Sequence, residues 1–441
     1  MARFLFGTVP LTGHFNPGAP IARRLVERGH EVRWHTGSIF RSKVEATGAR
    51  YVPMRAARDF HDTTVGDVFP ERAALSDFAK LKFDLTRFFI DSAPGQLADL
   101  EAELRDFPAD VVVCDTGFLG ASLLQERRGL PWATFGITAM TVASADTAPF
   151  GLGLMPSSTP LGRLRNRALA WGVNHVVFRD VNAHLNRMRA GLGLPATRKP
   201  IFDVPVSPFL YLQGTVPSFE YPRTDLPPQV HFIGPFLPEA PAGWTPPAWW
   251  DELRDSPRPV VHVTQGTLAT EEPHLILATL QALADEDVWV VAATGGPPVE
   301  WLGAGPFPAN ARIERFIPYA HLMPRVSVMV TNGGYGGVQC ALAQGVPLVC
   351  AGTSEEKPEI ANRVAWAGVG VNLKTKAPTP EQVRRAVRSV LGTPDFRQRA
   401  RGLQAEIATY DAPTRAAVLL EQLAETRAPV FAEPPAASSR Q

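Results

Sequence analysis

The chain predicts an α/β protein made of two doubly wound, Rossmann-like domains that face each other across a cleft. Three observations lead there. Short apolar runs alternate with helical patterns through both halves, a proline-crowded stretch at 215–258 separates them, and a glycine cluster opens directly into a helix at 331–349. With 441 residues the chain exceeds what one hydrophobic core organises, so two domains of about 200 residues each are the natural division.

In the first half, 4–9, 31–35, 50–54 and 110–114 read as strands. Between the first two, Ile21, Ala22, Leu25 and Val26 form one helical face, with Pro17 and Pro20 near its start and Gly29 at its end. In the second half, strand-like runs at 260–264, 288–293, 311–316, 326–330 and 348–351 alternate with helical stretches at 274–285 and 357–367. Such alternation builds strand–helix–strand units with right-handed crossovers, hence a parallel sheet in each half. The predicted division is 1–225, a Pro-rich linker over 226–257, a second domain over 258–408, a helix over 409–428 and a disordered tail over 429–441.

Composition narrows the function classes. The 44 basic and 43 acidic residues leave a net charge of +1, which gives no electrostatic footing for nucleic acid, and no basic run suggests a membrane patch. No apolar run approaches the roughly 18 residues of a membrane span, and the first apolar run is broken too early by Gly7 and Pro10 for a signal peptide. Cys114, Cys340 and Cys350 read as reduced thiols with no metal cluster. The expected location is the cytoplasm. Oligomeric state is not set by any of these features.

The glycine cluster carries the most information. A strand ending near Thr331 feeds Gly333, Gly334, Gly336 and Gly337, which let the backbone turn sharply and let an anion approach peptide N–H groups at a helix N-terminus. The seat suits a diphosphate, although a glycine-rich turn without a ligand has the same pattern. In the first half His14 follows the first strand, in the loop before the first helix, and Asp115 follows the fourth. In the usual order 3-2-1-4 those two strands are neighbours at the switch point, where ligands of such sheets bind. A carboxylate on one imidazole nitrogen fixes the tautomer and leaves the other free to take a proton, so the pair reads as a general base. The plainer alternative has His14 bracing the first helix and Asp115 capping the next. The other histidines show no metal-ligand spacing.

The sequence GHFNP at 13–17, together with the glycine cluster, Gly345-Val346-Pro347 and the acidic residue after it, resembles the GT-B nucleotide-sugar glycosyltransferases, in particular the branch acting on macrolides and other secondary metabolites. The resemblance covers nearly the whole chain. It implies that His14 deprotonates an acceptor hydroxyl and Asp115 orients it. It also implies that Phe316 and Ile317 sit where an aromatic ring stacks on the nucleobase, and that Gln265, Gly266 and Thr267 touch the diphosphate with Asn332, Gly333, Gly334, Gly336 and Gly337. Glu356 and Lys357 fall where an acidic residue and a glutamine read the sugar, and the helix near 412–424 would brace the first domain. The implied reaction is inverting transfer from a UDP- or dTDP-sugar to a hydroxylated, bulky, apolar acceptor, with no metal and no other cofactor.

Several positions depart from the family pattern. Asn332 replaces a histidine but still offers an N–H to a phosphate oxygen, and Gly337 replaces a serine. Cys340 stands where a glutamate usually binds the ribose, which moves that role toward Gln339, and Tyr319 replaces a glutamine. Lys357 replaces a neutral amide, and if it points at the sugar an ammonium there would favour a donor bearing a carboxylate. Aromatic and apolar residues crowd 55–90 and 132–160, among them Phe60, Phe69, Phe78, Phe83, Phe88, Phe89, Trp132, Phe135, Met140, Phe150 and Met155. They suit an apolar acceptor pocket, or they build the core. A nucleotide-sugar epimerase and a catalytically silent auxiliary protein remain alternatives.

Overall fold

The structure is a computed structural model and describes residues 1–62, 64–240, 243–266, 272–303 and 305–432. The first domain holds β1 (Arg3–Gly7), β2 (Glu31–Thr36), β3 (Arg50–Pro53), β4 (Val111–Asp115), β5 (Trp132–Gly136), β6 (Leu210–Gln213) and β7 (Val230–Phe232). They form one parallel sheet in the order β3-β2-β1-β4-β5-β6-β7. The second domain holds β8 (Val260–Thr264), β9 (Trp289–Ala293), β10 (Ala311–Glu314), β11 (Val328–Thr331), β12 (Leu348–Cys350) and β13 (Gly370–Asn372), parallel in the order β10-β9-β8-β11-β12-β13. Every residue of β4 (VVVCD) and β8 (VVHVT) is buried, as strands covered by helices on both faces require.

In both sheets the strand order reverses, between β1 and β4 and between β8 and β11, where the site was expected. Gly7 of β1 lies opposite Cys114 of β4, and Thr264 of β8 lies opposite Thr331 of β11. The loops leaving these paired strands therefore emerge side by side at the carboxyl edge of each sheet.

Three boundaries differ from expectation. The region 226–257 is not only a linker, because Val230–Phe232 pairs with β6 as an edge strand. Three residues between Pro228 and Pro235 suffice for an edge position, where a missing N–H costs nothing to the ladder. The segment carrying His14 is a single helical turn, Thr12–Phe15, rather than an irregular loop. The tail expected to be disordered from 429 is held at its start. Val430 is buried and its N–H donates to Phe209 O at 2.9 Å, while residues 433–441 lie outside the described residues.

The helix Ala412–Thr426 packs against Gly18–Glu27 of the first domain, so the chain ends where it began. Its Glu421 accepts from Arg28 Nε at 2.6 Å and lies 2.7 Å from His30 Nε2. The Arg28 hydrogen bond is the main reason the Glu421 carboxyl is pulled down to about 2.

A buried ion cluster joins the domains. Glu220, which follows β6, receives Arg363 from the helix Lys357–Trp366 at 3.0 Å on both oxygens. Arg363 also donates to Glu359 at 3.0 Å, and Arg223 reaches Glu220 at 3.4 Å. Burial alone would protonate Glu220, yet Arg363 and Arg223 outweigh it and hold the carboxyl below its ordinary range. Nearby, Gln339 Nε2 donates to Thr215 Oγ1 at 2.8 Å and Gln213 Nε2 donates to the Tyr335 hydroxyl at 3.1 Å. Removing one partner strands a buried charge, at a cost of about 3–5 kcal/mol. Glu220→Ala is accordingly expected to lower unfolding free energy by about that amount in urea titration; a change no larger than that of a surface substitution would mean the cluster is solvated and contributes little.

Candidate active site

His14 sits on the turn Thr12–Phe15, whose Thr12 N–H donates to Asp62 Oδ2 at 3.0 Å. His14 Nδ1 lies 2.6 Å from Asp115 Oδ1. A carboxylate accepts and cannot donate, so Nδ1 carries the proton and Nε2 is the nitrogen left for other chemistry. Asp115 is fully buried at the end of β4 and accepts two further bonds, from Val9 N–H at 2.8 Å and Gly117 N–H at 2.6 Å. With three donors around one carboxylate, the orientation of the imidazole is fixed from below.

Gly117, which sequence reasoning passed over, and Phe89, expected there only as an acceptor-side aromatic, complete this corner. A Cβ on Gly117 would lie 2.8 Å from His14 Cε1 and 3.0 Å from Asp115 Oδ1, so only glycine lets the three groups meet. Phe89 places its ring 5.9 Å from the imidazole. The signal for Gly117 was present in Asp115-Thr116-Gly117, a glycine two residues beyond a strand-end carboxylate.

On the facing domain the glycine cluster begins the helix Tyr335–Leu342, with Gly333 at φ +91°. An added Cβ on Gly336 would meet nothing within 4 Å, so this face of the helix start is open. The expected polar contacts are partly used by the protein itself. Asn332 gives an N–H to Gln265 O, and its Oδ1 accepts from Gly334 N–H at 3.2 Å, so its amide laces the two loops together instead of simply facing a phosphate. The side chain of Gln265 caps the helix His274–Ala282, accepting from Leu275 N–H at 2.9 Å while its Nε2 donates to Glu272 O at 2.8 Å. What Gln265 and Gly266 offer the cleft is backbone, with Gly266 at φ +79° beside Asn332. Thr267 lies outside the described residues.

Phe316 is 69% exposed just past β10, free to stack, whereas Ile317 is buried in the core and offers no side chain to a ligand. Gln339 does not take over ribose binding, since its amide is buried and tied to Thr215. Burial pushes the Cys340 thiol up to about 12, leaving an inert, neutral side chain.

Lys357 departs furthest from expectation. It is 8% exposed and its ammonium is paired with Glu355, a residue held at φ +55°. Burial disfavours the charge, but Glu355 and Glu356 outweigh it and hold Lys357 above its ordinary range. The ammonium is therefore already answered by carboxylates and is not free to select an acidic sugar. Glu356 is raised, first by burial and then by Glu355, with Lys357 and the His14 imidazole opposing. His14 and Glu356, on opposite domains, thus lie within electrostatic reach of each other.

Of the aromatic and apolar residues near the acceptor side, Phe60, Phe69, Phe88, Trp132, Phe135 and Met140 are buried and build the core. Phe69 and Phe88 stand 4.6 Å apart in one ring cluster with Phe60. Among the described residues no three His, Cys, Asp or Glu side chains gather as a metal site, and no helix is long and apolar enough to cross a membrane.

Two parallel α/β domains with a histidine–aspartate pair on one wall and a glycine-walled helix start on the other define a GT-B glycosyltransferase. The comparisons agree. Residues 276–423 match the family described as Erythromycin biosynthesis protein CIII-like, C-terminal domain. The chain is 52% identical over 423 residues to the 4'-demethylrebeccamycin synthase of Lentzea aerocolonigenes, covering 96% of this chain and 99% of that one. It is 34% identical to UDP-glycosyltransferase 2 of Phaeomoniella chlamydospora, covering 95% of each. The calicheamicin glycosyltransferase CalG4 superposes with a TM-score of 0.75 at 25% identity, covering 97% of this chain and all of that one. The chain belongs to the GT-B glycosyltransferases of the macrolide and secondary-metabolite branch.

Gly117→Ala is expected to displace the imidazole and lower kcat by about 10²-fold, the scale for a misplacement near 1 Å, with little change in nucleotide affinity. Wild-type kcat in that variant would mean the corner relaxes freely.

Proposed function

We propose that the protein transfers a sugar, with inversion, from a UDP- or dTDP-sugar to a hydroxyl of a bulky, largely apolar acceptor. The observation that carries this reading is the His14–Asp115 pair at 2.6 Å, with Glu356 of the second domain within electrostatic reach of the imidazole. His14 Nε2 takes the acceptor proton as the oxygen attacks the anomeric carbon. Asp115 stabilises the imidazolium that results. One displacement from the face opposite the diphosphate inverts the configuration.

The leaving diphosphate gains charge as the bond breaks. Backbone N–H groups around Gly333–Gly337 and the start of the helix Tyr335–Leu342 are preorganised to meet that charge, so the reaction needs no metal ion. The exposed ring of Phe316 suits stacking on the base of the nucleotide. The relatives' names support a natural-product acceptor and a nucleotide-sugar donor. Free, buried thiols at Cys114, Cys340 and Cys350 suit a reducing compartment, the cytoplasm.

The sugar is neutral. The Lys357 ammonium is already paired with Glu355, which the Arg72 guanidinium also approaches at 4.0 Å, so that wall offers a uronate no free cation.

His14→Ala should lower turnover about 10²–10⁴-fold with donor binding retained, read by mass spectrometry of a sugar added to hydroxylated apolar acceptors. An unchanged rate would remove His14 from the mechanism. In the same assay UDP-glucuronate should serve at least about tenfold less well than UDP-glucose, a difference of about 1.4 kcal/mol. Equal use of both would show that Lys357 acts as a free cation after all. Saturating chelator should leave the rate unchanged, and a loss restored by a divalent cation would overturn the metal-free step.

A further inference from the structure

Seven of the sixteen large apolar side chains exposed among the described residues fall within 152–176 of the first domain. Four stand out on the helix Pro160–Gly172 and the turn Val173–Val177 that continues it. Leu161 is 80% exposed, Leu164 63%, Trp171 61% and Val176 66%. Leu161, Leu164, Ala168, Trp171 and His175 follow the spacing 3, 4, 3, 4, which keeps them on one stripe of the helix. The opposite stripe, Gly162, Asn166 and Val173, is buried, and Asn166 anchors it by donating to Ala145 O at 2.9 Å. His175 stacks on Trp171 at 5.4 Å.

Charge says what this face meets. Residues 147–179 contain no Asp or Glu but hold Arg163, Arg165, Arg167 and Arg179. Arg163 answers the buried Asp146 at 2.7 Å. Arg165 and Arg167 are exposed and lie on either side of the apolar stripe by helical position. The overall charge of +1 hides this local excess. A second copy docking through the same stripe would set arginine against arginine with no acid to answer it. An apolar stripe with a tryptophan, flanked by arginines, is the pattern of a helix lying in a lipid–water interface.

We propose that Pro160–Val177 is a peripheral docking face for an anionic lipid surface, into which Leu161, Leu164, Trp171 and Val176 insert while Arg165 and Arg167 pair with lipid phosphates. An enzyme so placed meets apolar acceptors where they concentrate. The inference stands apart from the sugar transfer, since its readout is binding.

The test is co-sedimentation of the full chain with phosphatidylcholine vesicles, with and without about a third phosphatidylglycerol, at low and high salt. Binding is expected to the anionic vesicles, weakened by salt. The double variant Leu164→Ser, Trp171→Ala should weaken it at least tenfold. Each of Arg165→Gln and Arg167→Gln should weaken it about fivefold. All four positions are exposed, so turnover of a water-soluble acceptor should match wild type, and thermal unfolding should too except for a small loss in Arg165→Gln, because Arg165 donates to Asn166 Oδ1 at 2.9 Å. Failure to bind either vesicle, or binding unmoved by these variants, overturns the proposal. Concentration-dependent self-association abolished by Trp171→Ala, without vesicle binding, would assign the face to a protein interface instead.

Discussion

The geometry of the site depends on the buried pairing of Glu220 with Arg363. His14 and the glycine-walled helix belong to different domains, so neither sheet alone contains a site. Glu220 and Arg363 are almost completely buried, and taking such charges from water is expensive unless each lone pair and proton is matched. Glu220 is matched by Arg363, by Arg223 and by the Met140 N–H at 2.8 Å. Arg363 also lies over the Tyr221 ring at 4.2 Å. A sliding of one domain over the other would leave these groups unmatched, so the cluster rewards one relative placement far more than an apolar contact of equal area would. Glu359 extends the same logic, accepting from the Gly151 and Gly153 N–H groups of the first domain.

Within that frame each wall is set by adjacency of strands. Because β1 and β4 are neighbours, the turn after one and the carboxylate at the end of the other meet without long excursions. Asp115 then does two things at once. It ties Val9 and Gly117 to the strand end, and it orders the His14 imidazole. The second wall uses the same device, with Asn332 after β11 lacing the loop after β8. One difference matters chemically. The first wall presents a side-chain nitrogen and the second presents mostly backbone, which suits a proton acceptor on one side and a diphosphate on the other.

Much of this was legible in the amino-acid sequence, for reasons that also explain what was not. Apolar strand runs, the proline-rich middle and the glycine cluster are local patterns, and topology rules carry them to a cleft. His14 and Asp115 were reachable because strand order in such sheets is restricted. The side-chain partners of Gln265, Asn332 and Lys357 were not. Gln265 follows a strand like a ligand residue but caps a helix ten residues on, and nothing local distinguishes the two. Lys357 pairs with Glu355, which adopts a left-handed backbone, a conformation its residue type does not announce. The edge strand β7 hid among prolines because three residues carry too little period to read. The exposed stripe of Leu161, Leu164 and Trp171 was readable in spacing, yet a balanced total charge concealed the acid-free stretch around it.

The departures from the family pattern become intelligible once they are seen as neighbours. Tyr319, Gly337 and Cys340 are separated in the chain but share one wall of the second domain. A Cβ on Gly337 would sit 3.5 Å from the Tyr319 hydroxyl, an ordinary contact, so a side chain there would lie directly against the phenol. That phenol is pushed up first by burial, then by Cys340, while a hydrogen bond to Thr264 at the end of β8 opposes. The ring meets His262 edge-on at 5.7 Å. A tyrosine here, a glycine in place of serine and a small neutral thiol in place of a carboxylate are therefore a single repacking. Restoring the serine alone would set its hydroxyl beside the phenol, and restoring the glutamate alone would bury an unmatched charge there. The wall keeps its backbone donors through this exchange, so the seat proposed for the diphosphate is left intact while the side chains behind it differ together.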